Sequence, residues 1–203
     1  RKREGLFILP PYVTRGNTGS YSGMLDAIRS NLGYVRRSAQ RYALISGSST
    51  VFNMKFDDMM KKHLETGADI TILYNVPAEN ELKGDAERTH LKMDEEGRVV
   101  DIEVSPRLHS YPNVSMDVYI MDKALLTYLV EVSAAHYRTD FVRDVLLKQL
   151  SELKVYGYRY DGYVSRIESI SSYYKLNMDM LNGEIRTPLL YRPNPVYTKV
   201  KDE

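Results

Sequence analysis

Apolar residues along this chain alternate between short runs of strand character and stretches with helical spacing. Phe7-Ile8-Leu9 is a brief apolar run stopped by Pro10-Pro11, which reads as a strand leaving a sheet. Gly16, Gly19 and Gly23, set among Asn and Ser, predict a flexible polar loop. Met24, Ala27, Ile28, Leu32 and Val35 then recur at helical spacing. Ala43-Leu44-Ile45 is a short strand ended by Ser46-Gly47, and a helix follows from Asp57 to Thr66 with Gly67 placed to stop it. Ile70-Thr71-Ile72-Leu73-Tyr74 is β-branched and apolar on both faces, as a strand covered on both sides requires. Strand, helix and apolar strand in that order predict a parallel crossover in a covered sheet.

Beyond a polar stretch from Glu79 to Arg88, Leu91–Met93 and Val99–Val104 flank Asp94-Glu95-Glu96-Gly97 and predict a hairpin. Val118-Tyr119-Ile120 reads as a strand, and Leu125–Val132 and Phe141–Leu150 as helices. Val155 to Tyr160 alternates, with Tyr156, Tyr158 and Tyr160 on one face; packing of that face under a helix is the expectation. From Ser169 a helix is expected to carry Ile170, Tyr173, Tyr174, Met178 and Leu181 inward and to stop near Gly183. The proline-bearing tail from Thr187 to Glu203 reads as extended. The pattern is that of an α/β chain with a mixed, mostly parallel sheet flanked by helices.

Composition narrows the classes. With 203 residues the chain can bury one sizeable core, and 43% apolar content is ordinary for a folded domain. A net charge of +1 gives no electrostatic case for nucleic acid or an anionic membrane as partner. Having no cysteine, the chain has no disulfide or thiolate metal site, which fits a cytoplasmic location. His63, His90, His109 and His136 are scattered rather than at zinc-helix spacing. Asp57-Asp58 reads as charge at a helix N-terminus, Asp94-Glu95-Glu96 as a solvated turn, and Arg36, Arg37 and Arg41 as surface charges at a helix end. No phosphate loop, nucleophile elbow or dinucleotide fingerprint is present.

Segments from one end of the chain to the other do resemble a known family. Ile8-Leu9-Pro10-Pro11 is similar to the Ile-Leu-Pro-Pro of glucose-1-phosphate adenylyltransferases. Ser20-Tyr21-Ser22-Gly23-Met24-Leu25-Asp26-Ala27-Ile28 resembles their Trp-Tyr-x-Gly-Thr-Ala-Asp-Ala-Ile. Leu44-Ile45-Ser46-Gly47-Ser48 matches Leu-x-Ser-Gly-Asp, and Glu65-Thr66-Gly67-Ala68-Asp69 matches Lys-Gly-Ala-Asp. Ser115-Met116-Asp117-Val118-Tyr119 stands for Ser-Met-Gly-Ile-Tyr. Gly162-Tyr163-Val164-Ser165-Arg166 resembles Gly-Tyr-Trp-x-Asp, and Ser172-Tyr173-Tyr174-Lys175-Leu176-Asn177-Met178-Asp179 resembles Ser-Tyr-Tyr-x-Ala-Asn-Met-Asp. Each match is weak by itself; seven in the family's order are specific.

The resemblance implies a Rossmann-like, GT-A-type nucleotidyltransferase domain, N-terminally incomplete, over residues 1–183. It further implies a linker over 184–203 towards an absent C-terminal left-handed β-helix. In such enzymes an oxygen of glucose 1-phosphate attacks the α-phosphorus of ATP, giving ADP-glucose and pyrophosphate, with magnesium held by carboxylates. The resemblance puts those two aspartates at Ser48 and Arg166. The lysine that meets the sugar phosphate falls at Ser105, and a glycine of the site at Asp117. Ser48, Ser105, Asp117 and Arg166 are thus degenerate site positions, and no catalytic, cofactor-binding or metal-binding residue is assigned to this chain. Arginine cannot escape by deprotonating, and like unit charges ~4 Å apart repel by ~1 kcal/mol even in water. The pattern is similar to the non-catalytic GlgD-type subunit, which implies a catalytic adenylyltransferase subunit as partner in a heterotetramer. Magnesium and ATP would then belong to that partner. Two alternatives stand beside it: an active nucleotidyltransferase with ligands relocated to Asp117 or Asp161, and a module whose Arg166 holds a small anionic effector or instead pairs with Glu168.

Overall fold

The computed structural model describes residues 7–11, 19–78, 87–105 and 110–196. Helices α1 (Met24–Ser30) and α2 (Leu32–Arg37) precede strands β1 (Tyr42–Ser46) and β2 (Thr50–Val51). Helix α3 (Asp57–Thr66) leads to β3 (Ile70–Asn75), β4 (Thr89–Met93), β5 (Val99–Val104) and β6 (Asn113–Asp122). Helix α4 (Lys123–Ala135), a π-type turn over Val142–Leu146 and α5 (Leu147–Gln149) come next, then β7 (Val155–Arg159) and β8 (Ser165–Arg166). Helices α6 (Ile170–Asp179) and α7 (Gly183–Arg186) and a second π-type turn, Thr187–Tyr191, complete the described elements.

The chain divides into two compact units, Arg1–Ala43 with Met121–Leu153, and Leu44–Ile120 with Lys154–Glu203. In the first, α1 and α2 pack on α4, and Leu25, Leu32, Leu126, Leu129 and Val130 form the buried side of that contact. The periodicity from Met24 to Val35 predicts one helix; Asn31 divides it, its amide donating to the Ala27 carbonyl at 2.9 Å. The strand expected at Phe7–Leu9 is absent, and Phe7 and Ile8 are exposed without regular structure. Gly16 and His109 lie outside the described residues.

The second unit holds the sheet, in the order β5-β4-β6-β3-β7, with β1 paired to β6. It is mixed: β3 and β7 run parallel, while β4 is antiparallel to both β5 and β6. Residues Ile70 to Leu73 of β3 are fully buried, as expected of a strand covered on both faces. Gly67 ends α3 in the left-handed conformation at φ 58°, which costs glycine nothing because it has no Cβ. Met59 of α3 packs with Leu73, Met116, Val118 and Ile120, and Phe56, Tyr158 and Tyr160 close the edge of that cluster. Tyr158 of β7 and Tyr160 just beyond it therefore pack beside a helix, as expected for two of the three alternating tyrosines.

Two expectations fail at the C-terminal end of this unit. Helix α6 does not carry its apolar stripe inward: Ile170, Tyr173, Tyr174, Met178 and Leu181 are 89%, 55%, 65%, 46% and 70% exposed, and the buried residue is Leu176. The helix itself is well started, because Ser169 and Ser172 exchange a reciprocal capping box. The tail is not extended from Thr187 but helical through Tyr191, with Leu189 buried. Asn53 holds it there, its amide donating to the carbonyls of Leu189 at 2.7 Å and Asn194 at 2.6 Å. Among the described residues no helix is long and apolar enough to cross a membrane.

A candidate nucleotide site without its carboxylates

The second unit brings the degenerate positions onto one connected set of contacts. Strand β1 ends at Ser46; Gly47 then donates its N–H to the Asp117 carbonyl at 2.9 Å. Ser48 and Ser49 form an exposed bend, and the chain re-enters pairing as β2. That short strand is antiparallel to β8, with Thr50 opposite Arg166 and Val51 opposite Ser165. Ile167 adds an N–H donated to the Ser49 carbonyl at 2.8 Å. The segment carrying Ser48 and the strand carrying Arg166 thus form a single ribbon, which no hydrophobic period in the sequence foretells.

Arg166 is half-buried and its guanidinium faces the sheet. Its Nη2 donates to Asn75 Oδ1 at 2.7 Å and to the Ser115 carbonyl at 3.2 Å. Both acceptors belong to buried residues, Asn75 closing β3 and Ser115 within β6. Glu168 is held by a different arginine: Arg88 donates from Nε at 3.1 Å and from Nη2 at 2.7 Å, the paired geometry that suits a carboxylate. Those two side chains are only 12% and 23% exposed.

Asp117 and Ser105 share a backbone feature. Both adopt positive φ, 55° and 50°, a region that disfavours residues with a Cβ. At position 117, where the resemblance implies a glycine, this chain carries aspartate on a left-handed backbone, and aspartate is among the side chains that tolerate it best. Asp117 takes an internal set of bonds: its N–H donates to Ser115 Oγ at 3.1 Å, and its Oδ1 accepts from the Tyr119 hydroxyl at 3.2 Å. A Cβ built on Gly47 would lie 3.4 Å from that of Asp117, so the new side chain fills space directly beside the Ser46-Gly47-Ser48 segment. Ser105 is exposed, and its N–H donates to the Arg88 carbonyl at 2.8 Å. Asp161 is exposed outside regular structure, paired with Arg159 at 2.6 Å.

Magnesium, which the resemblance implies, does not fit the residues at these positions. Of the two positions where the resemblance puts a carboxylate, one carries a hydroxyl and the other a guanidinium already donating to Asn75 and Ser115; a permanent cation repels a second one. Among the described residues no three His, Asp or Glu side chains are grouped to hold a metal ion. Sequence reasoning missed Asn75, the Ser115 carbonyl and the Arg88–Glu168 pair. A polar residue ending the apolar run Ile70–Tyr74 was the available signal for the first of them.

Nearby phenols are tuned by burial. Burial pushes the Tyr160 hydroxyl above its usual range, with the Asn53 carbonyl it donates to, at 3.0 Å, pulling the other way. Burial likewise raises Tyr74, against the pull of Arg159. Both stay protonated near neutral pH.

Comparison with known proteins agrees with the sheet and with the resemblance. The model of the nucleotidyl transferase family matches residues 9–183. The glucose-1-phosphate adenylyltransferase of Halalkalibacterium halodurans is 31% identical over 186 residues, covering 90% of this chain and 48% of that protein. The same enzyme of Thermomicrobium roseum is 34% identical over 196 residues, covering 95% and 45%. The glycogen biosynthesis protein GlgD of Bacillus subtilis is 30% identical over 207 residues, covering 100% of this chain and 48% of that protein. The chain spans about half the length of these relatives. A match of this extent, on an α/β unit with this sheet, establishes that the chain belongs to the nucleotidyl transferase family.

Proposed function

We propose that this chain is part of a regulatory, catalytically silent subunit of glucose-1-phosphate adenylyltransferase in bacterial glycogen synthesis, acting in the cytoplasm beside a catalytic partner in a heterotetramer. The observation that carries the proposal is Arg166. It stands where the resemblance requires a metal-binding carboxylate, and its guanidinium is turned onto Asn75 and Ser115. Phosphoryl chemistry needs positive charge held against the phosphates by a replaceable ion, and a fixed guanidinium bound to internal acceptors does not supply it. Meanwhile the sheet and its buried cluster of Met59, Leu73, Met116, Val118 and Ile120 are intact, so the scaffold persists where the chemistry does not.

The relatives are about twice as long as this chain, and the resemblance implies a left-handed β-helix after residue 203. We assign the exposed face of α6 as the seat of that further domain. Its four exposed apolar side chains, with Leu181 just past its end, need cover.

The full-length protein, supplied with ATP, glucose 1-phosphate and magnesium, is expected to form no ADP-glucose by itself. Turnover within about tenfold of a catalytic relative, a gap of only about 1.4 kcal/mol in the barrier, would sink this reading. It would favour relocated ligands, a reading supported by the position of Asp117 beside Gly47. Loss of that turnover in Asp117→Ala would then identify the relocated carboxylate.

A further inference from the structure

We infer that Arg166 is an internal substitute for the missing cation: together with the Arg88–Glu168 pair it latches the β2–β8 ribbon onto the main sheet. The former metal position is then a structural cross-link and not a ligand site. The ribbon needs such a device. Each strand is two residues long, and so short a pair has little stability of its own in water. Its backbone bonds include the Ile167 N–H to Ser49 carbonyl contact, and among the described residues none of them joins the ribbon to the six-stranded sheet.

Side chains make that join: Phe52 and Val164, flanking the ribbon, pack on the sheet's buried cluster, and a polar latch adds to this contact. From β8, Arg166 reaches Asn75 at the end of β3 and the Ser115 carbonyl of β6, so one guanidinium spans three strands. Two residues on, Glu168 accepts both donors of Arg88, which directly precedes β4. The Arg88 carbonyl in turn accepts the N–H of Ser105 at the end of β5. A divalent ion draws separate strands together by attracting a carboxylate from each; here a planar cation does so by donating to neutral acceptors, and it cannot dissociate or lose its charge. The acceptors are buried, so withdrawing the guanidinium would leave polar groups without water to replace it. An incoming anion would have to displace both acceptors before it could use the same donors. The metal-position assignment rests on the functional reading above; the cross-link rests on the contacts alone.

Hydrogen exchange on the full-length protein tests the latch. Arg166→Ala is expected to speed exchange in residues 49–51 and 165–167 by about tenfold or more, the factor given by loss of one charge-assisted hydrogen bond. Exchange in α4, in the other unit, should stay unchanged. Arg166→Lys keeps the charge without the planar fork and should fall between the two, and Glu168→Gln should give a smaller acceleration in the same segments. Unaltered exchange in Arg166→Ala overturns the proposal; should that variant fail to fold, unaltered exchange in both Arg166→Lys and Glu168→Gln overturns it equally. Inorganic pyrophosphate should give the ribbon no protection. Protection that disappears in Arg166→Lys would make the guanidinium an anion site and end the latch. Activity in the isolated protein would remove the regulatory reading and leave these exchange results standing, so the two failures are distinguishable.

Discussion

Asp117 carries two demands at once, a left-handed backbone and a side chain pressed beside Gly47. Glycine meets the first without strain, whereas a β-branched residue meets neither. Asp117→Gly should therefore leave stability within about 1 kcal/mol of wild type, relief of strain offsetting the lost Tyr119 hydrogen bond. Asp117→Val should cost more than about 2 kcal/mol, and urea denaturation of the pair measures the difference. Asp122 offers a test by pH. It caps α4, its Oδ1 accepting from the Ala124 N–H at 2.7 Å. That bond, with Arg41 beside it, holds the carboxyl below the usual carboxylate range. As pH falls the unfolded chain takes up this proton first, so the contribution is full well above the unfolded value of about 4 and is lost progressively as pH falls through it to the lower folded value. Asp122→Asn retains the cap and should flatten the acid side of the stability profile, from about pH 5 downward.

Elements differed in how far they could be read from the sequence, and the differences have physical causes. Helix α3 and Gly67, strand β3, and the β4–β5 hairpin around Asp94 to Gly97 were legible because their start, stop and period are local. The β2–β8 ribbon was not: two-residue strands have no period, and their partner is set by distant contacts such as that of Arg166. Helical spacing in α6 correctly told which residues share a face but not on which side of the helix the unit lies. Leu176→Ala should accordingly cost about 2 kcal/mol, while Ile170→Ala and Tyr173→Ala should change stability of residues 1–203 by no more than about 0.5 kcal/mol. If the exposed face seats a further domain, the same two surface substitutions should destabilise the full-length protein measurably. Equal effects in both lengths would contradict that assignment. At the site, the resemblance singles out Ser48, Ser105, Asp117 and Arg166, while Asn75, Ser115 and Arg88 became visible only when the sheet brought them to the ribbon.

At the scale of the molecule, the family framework and the substituted site make one account. In the sheet-bearing unit of this family member, Arg166 donates to Asn75 and to the Ser115 carbonyl, and Asp117 donates its N–H to the Ser115 hydroxyl. On the proposed reading, such a chain keeps the shape of an enzyme and offers it to a partner without competing for substrate. The most direct measurement is reconstitution: full-length protein, alone and mixed with a catalytic glucose-1-phosphate adenylyltransferase, assayed for ADP-glucose with ATP, glucose 1-phosphate and magnesium. The account predicts no turnover alone, co-purification with the catalytic subunit, and a change in that subunit's rate or effector response. Turnover by the isolated protein, or a catalytic subunit that neither binds it nor changes in its presence, would contradict it.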